Sequence, residues 1–180
     1  MRAVVIALLL AGCVQAPTSG PPVPDPGPGY PPKMGEVTGQ LGGQAMAWDT
    51  YDFSVGAFDG SASVDHFDGP YRLRITGYPP GQPESKVDRL NVTGTFAGKP
   101  ATGALRAVEV AIGTEGNGGA PGSQAQGATL VVERIEAPVG GGYGTASGRI
   151  TAAVCPSNPA VMAPCRLFEA RFATRVQFND

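Results

Sequence analysis

Histidine occurs once in these 180 residues, tryptophan once and cysteine three times. One imidazole and three thiols leave little material for a metal centre or an activated nucleophile. Lysine is scarce too, three against ten arginines, and only 16% of the chain is charged. That poverty argues against a coiled coil or long helical bundle. A net charge of −2 with no basic block lacks the electrostatic footprint of nucleic-acid binding, so no nucleic-acid partner is expected. No apolar run approaches the roughly 18 residues of a spanning helix. What the chain has in excess is 27 Gly and 18 Pro, a quarter of its length, the composition of a loop-rich all-β protein or of disorder.

The N-terminus carries an address. Met1 and Arg2 form a short positive region, and Ala3 to Leu10 an apolar stretch of eight residues, the length of a signal peptide and too short for a membrane anchor. Leu10-Ala11-Gly12-Cys13 follows directly. This tetrad resembles the lipobox of bacterial lipoproteins. The resemblance implies cleavage after residue 12, leaving Cys13 as the lipidated first residue, acylated on its thiol and commonly again on its amine with fatty acids such as palmitate. Two or more chains are needed for stable anchoring, at ~0.8 kcal/mol per buried CH₂. Val14 stands where such lipoproteins often carry an Asp that retains them in the inner membrane, so the expectation is the outer membrane, with the facing of the domain (periplasm or exterior) left open. The membrane is thus an expected partner through Cys13.

Val14 to Lys33 holds eight Pro in twenty residues. Proline fixes φ and lacks an N–H, so the stretch favours polyproline II and reads as a spacer, with a reach of roughly 60 Å at ~3.1 Å per residue. The expected organisation is a signal peptide over 1–12, a lipidated Cys and linker over 13–33, and one domain over 34–180.

Within that domain the apolar residues alternate. Tyr71, Leu73 and Ile75 oppose Arg72, Arg74 and Thr76; Leu90, Val92 and Phe96 oppose Asn91, Thr93 and Thr95. The clearest case is Arg166–Phe178, with Phe168, Ala170, Phe172, Val176 and Phe178 on one face and Glu169, Arg171, Arg175 and Gln177 on the other. Period two marks half-buried antiparallel strands. Further runs are Glu36–Leu41, Trp48–Phe58, Ala104–Ile112, Ala128–Ile135 and Tyr143–Val154. No segment offers a convincing helical stripe. Seven or eight short strands between Gly, Pro and Asp turns predict an all-β antiparallel sandwich, with a small β-barrel as the alternative.

Cys155 and Cys165 flank a nine-residue stretch between the last two strands. In an exported chain they are expected to pair and clamp the neck of that hairpin, for roughly 2.5–3 kcal/mol by loop-entropy arithmetic. With Cys13 lipidated, no thiol remains as a nucleophile.

The densest polar cluster is Asp49, Asp52, Asp59, Asp65 and Asp68 with His66. Calcium would want six to eight oxygens, and the spacing is not that of a known loop. Asp59-Gly60 and Asp68-Gly69 are turn dipeptides, and His66 falls in a predicted turn, so a solvated surface His is expected. No G-x-S-x-G elbow marks a serine, and nothing selects a carboxylate pair for hydrolysis. Gly140–Gly144 precedes a strand, not the helix a phosphate cradle needs, and Gly113–Gly127 reads as a disordered loop. The Pro-rich Tyr78–Pro83 loop could present a rigid recognition surface. Trp48 is expected in the core.

No catalytic, cofactor-binding or metal-binding residue is therefore assigned, and no cofactor is expected. The expected function is a non-catalytic binding or structural module of the cell envelope, meeting an envelope protein or polymer. The alternatives are an inhibitor of a secreted enzyme, presenting the 79–83 or 156–164 loop, and a carboxylate-dependent envelope hydrolase.

Overall fold

The computed structural model describes residues 30–53, 60–66, 69–113, 123–140, 142–156 and 163–179. The described chain forms ten strands and no helix: β1 (Lys33–Leu41), β2 (Gln44–Tyr51), β3 (Ala62–Asp65), β4 (Arg72–Gly77), β5 (Arg89–Thr95), β6 (Gly103–Ala104), β7 (Arg106–Gly113), β8 (Ser123–Glu136), β9 (Gly142–Pro156) and β10 (Arg166–Asn179). The all-β expectation holds, and of its two architectures the structure takes the barrel. One sheet runs β10–β3–β4–β5–β7–β8, and β9 pairs with both β8 and β10, bringing the sheet back on itself. A sandwich would need two facing sheets. Here the same alternating faces wrap around a single interior.

The wall β8–β9–β10 is the most regular part. β9 and β10 pair antiparallel without a break from Arg166↔Val154 to Phe178↔Gly142. The other edge of β10 is divided. β1 takes Phe168 to Thr174, antiparallel. β3 takes Gln177 to Asn179, in parallel. Closure is thinnest between β7 and β8, joined by the single pair Ala111↔Gln124.

The interior is filled by side chains. Trp48, Phe168, Phe172, Leu73, Ile75, Leu90, Leu130 and Ile150 are all fully buried and belong to one apolar cluster. Trp48 meets Phe168 edge to face, with ring centroids 5.8 Å apart, a favoured aromatic geometry. The core assignment of Trp48 is thus met. At Gly148 the backbone of β9 is closely approached by its neighbours. A Cβ there would collide with the Val131 carbonyl oxygen and come within 2.7 Å of the Phe172 ring, so only glycine permits that approach.

Cys155 and Cys165 form the expected disulfide, with Cα atoms 4.1 Å apart, one step beyond the Arg166↔Val154 pair. Two readings along the chain need correction. The run at 104–112 is broken at Leu105 into β6 and β7, where the chain passes from pairing with β8 to pairing with β5. Residues 123–127, read as part of a disordered loop, belong to β8, where pairing with β9 holds them. β1 begins at Lys33. The rest of that loop, 114–122, together with Cys13 and the signal peptide, lies outside the described residues.

Candidate binding surface

The four residues Trp48 to Tyr51 at the end of β2 are all buried. Alternation sends Trp48 and Thr50 inward, where the Thr50 hydroxyl meets that of Thr174 at 2.6 Å. Asp49 and Tyr51 point the other way, which on an ordinary strand would mean water. Here that second face is roofed by the start of β1 and by the chain following β4.

Asp49 is the pin of this roof. Its backbone N–H and C=O both bond Tyr78, at 2.8 and 2.9 Å. One carboxylate oxygen takes the Lys33 ammonium at 2.6 Å. The other accepts from the Tyr51 hydroxyl at 3.1 Å and from the Gly81 N–H at 3.0 Å. A buried carboxylate needs such partners to offset its lost hydration. The same geometry acts on its neighbours. Burial, reinforced by the negative charge of Asp49, pushes the Tyr51 hydroxyl up to about 12. Burial alone would lower the Lys33 ammonium, but its bonds to the Asp49 and Glu36 carboxylates outweigh it and hold it above its ordinary value.

Through Gly81 the pin fixes the 79–88 loop. Gln82 N–H bonds the Pro79 carbonyl at 3.0 Å, and Gly81 has φ +71°, the two marks of a tight turn with glycine at its third position. Farther along, Ser85 N–H bonds the Gln82 carbonyl and the Arg89 Nε bonds the Ser85 carbonyl. The loop ends at Asp88, in left-handed backbone at φ 53°, where its carbonyl accepts the Trp48 indole N–H at 2.8 Å. Gly77 makes room for this arrangement: a Cβ there would stand 2.7 Å from that of Trp48.

Beside the loop lies an open groove of about 530 Å³. Phe53, Tyr78 and Pro83 supply apolar walls, and Arg74, Arg89 and Glu84 supply charge. The Phe53 and Tyr78 rings are 5.4 Å apart, Tyr51 stands 5.9 Å from Tyr78, and the Arg89 guanidinium sits over the Tyr78 ring at 4.7 Å. Arg74 is held from its other side by Asp65 at 3.2 Å. The groove thus sets an aromatic wall beside charged side chains that are already oriented by protein partners.

The acidic stretch does not assemble into a site. Asp49 is the structural pin just described. Asp52 accepts from the Tyr143 hydroxyl. Asp65 binds Arg74 and, at 2.9 Å, the Asn179 amide. His66 is exposed and stacked on Tyr71 at 3.9 Å, as a surface histidine would be. Asp59 and Asp68 lie outside the described residues. Among the described residues no three His, Cys, Asp or Glu side chains gather as a metal ion would require. Gly140 and Gly142 have positive φ and lead into β9, the tight connection expected of them. The reading from sequence singled out the loop but missed Phe53, Arg74 and Arg89, which come from separate elements and share no motif.

Compared with known protein families, with characterised proteins and with solved structures, the chain matches none.

Proposed function

We propose that this protein is a lipid-anchored module of the cell envelope, held through Cys13 in the outer membrane, which binds an envelope protein or polymer and performs no catalysis. The observation that carries the reading is the pinned 79–88 loop beside an open groove. The described interior is lined by a continuous apolar cluster, and the reading assigns recognition to the outer surface. A loop held by Asp49, Trp48 and Arg89 loses little entropy on binding. The tetrad ending at Cys13 and the proline-rich spacer support an anchored domain with reach. No cofactor or metal is invoked.

The test is crosslinking of the native protein in cells, with mass spectrometry of what co-purifies, beside a Cys13→Ser control. Capture of one envelope component only with the anchor intact is the expected result. Capture at the level of the control would remove the proposal's support. A second reading draws on the same pinned loop: inhibitors of secreted enzymes present rigid segments, and 79–83 is one. Stoichiometric loss of protease or lysozyme activity on titration with the purified protein would select it.

A further inference from the structure

We infer that the free edge of β2, at Ala45 and Ala47, is an interface for a second copy of this chain, the two β2 strands pairing antiparallel into one continuous sheet. This goes beyond the binding-module reading and does not depend on it.

The edge follows from the sheet's topology. β2 stands at one end of the strand order, and its only ladder is with β1. On its other side it has a single bridge, Asp49↔Tyr78, in which Asp49 uses both its N–H and its C=O. In an antiparallel ladder alternate residues direct both groups to the same edge, so Ala47 and Ala45 present theirs on the side of Asp49, away from β1. Among the described residues no backbone group meets them, and both alanines are exposed. The Gly42-Gly43 turn closes the hairpin just beyond Gln44, with positive φ at both positions, and a Cβ at Gly43 would meet nothing.

Natural edge strands carry protection against such pairing: charge, proline, a bulge, or extreme shortness. The other end of the strand order, β6, is two residues long. The β2 edge has none of these. Gln44 to Trp48 reads Gln-Ala-Met-Ala-Trp, without charge or proline, and its register with β1 is unbroken from Gly35↔Thr50 to Leu41↔Gln44. The shortness of the open stretch selects the occupant. Ala45 and Ala47 offer one donor and one acceptor each, and ordering each residue of a loose peptide costs about as much as a backbone bond returns. A second β2 arrives already extended, held by its own β1. Tyr78 selects the register, because it fills the position opposite Asp49. With the two-fold axis at Ala45, that residue faces its counterpart, Ala47 faces Gly43, and the incoming chain turns away at Gly42 before it reaches Tyr78. A two-fold contact of this kind is closed and stops at two copies.

The experiment is sedimentation of the full chain in detergent, from micromolar to near-millimolar protein. A reversible equilibrium between monomer and dimer is expected. Ala45→Lys sets two ammonium groups face to face across the axis and should weaken dimerisation at least tenfold. Ala45→Glu should do the same, and an equimolar mixture of the two variants should recover a dimer. Ala47→Pro removes an outward N–H that makes no bond within the chain and should weaken the pair to a similar extent. The thermal midpoint of each variant, taken at low concentration, checks that the fold is intact; the two substitutions at exposed Ala45 carry the test if Ala47→Pro does not fold. A monomer at every concentration, dimers unaffected by Ala45→Lys, no recovery in the mixture, or assemblies larger than two would overturn the assignment. Capture of an envelope component in cells bears on the module reading alone, so the two fail separately.

Discussion

The β8–β9–β10 wall and the roof over Asp49 are built by different means. The wall rests on unbroken backbone ladders and on alternate apolar residues, Phe168, Phe172 and Val176 inward and Arg171 and Arg175 outward. Its outward charges add a surface network, Glu133 to Arg149 at 2.7 Å and to Arg171 at 3.6 Å, of the exposed kind that contributes little to stability. The roof has short ladders and depends on single side chains: one carboxylate, one indole N–H, and the Ser61 hydroxyl that accepts the Tyr51 N–H at 2.6 Å. Repetition makes the wall tolerant of single losses in hydrogen bonding and sensitive to losses of volume. The roof is the reverse, since each of its polar links occurs once.

Four outcomes would sharpen that contrast. The largest effect is expected in the wall's core. Phe172→Ala removes a buried ring and should cost about 3–5 kcal/mol, read as a lower midpoint in denaturant unfolding, with the disulfide intact. Next, replacing both Cys155 and Cys165 by Ser should lower stability by roughly 2.5–3 kcal/mol; the same transition monitored for wild type under reducing conditions should coincide with it. An unchanged midpoint would mean that the β9–β10 ladder alone closes the hairpin.

In the roof, Asp49→Asn keeps the shape and removes the charge. Lys33 is half exposed, so screening limits the loss, and about 1–2 kcal/mol is expected. The diagnostic is local: amide exchange should quicken at Gly81 and Tyr78 while the β9–β10 amides stay protected. Uniform acceleration across both regions would show that the roof and the wall open as one unit.

The smallest effect concerns alkaline pH. The Tyr51 hydroxyl is raised to about 12 in the folded protein, against an ordinary value near ~10. A raised folded value means that the contribution is fully present below about pH 10 and is lost as pH rises through the folded value. Lys33, also raised, acts in the same direction. Stability should therefore fall between pH 10 and 12, together with the rise of tyrosinate absorbance. In Asp49→Asn the folded value moves back toward the ordinary one, so the fall should be smaller and end at lower pH.

How much of this was legible in the residues follows the same division. β10 was readable almost end to end, because a strand with one wet and one dry face prints its period of two. β4, β5 and β9 were readable for the same reason. β3 was not. Its Ala-Ser-Val-Asp has three buried residues in a row, with small side chains and no alternation, yet it closes the barrel through three parallel pairs with β10. Asp49 was noticed as one acid among several, and its burial was invisible because the groups that cover it lie sixteen residues before and thirty-two after.

Local chemistry thus decided the strand-rich class, the tight turns and the clasp of Cys155 with Cys165, since propensity and short loop closure act between near neighbours. Tertiary structure alone decided barrel over sandwich, the second buried face of β2, and the meeting of Arg74, Arg89 and Phe53 at one groove. Those outcomes depend on which strand edges find each other across the closed sheet. Pairing at that distance is governed by the fit of the whole interior around Trp48, Phe168 and Phe172, and leaves no local pattern to read.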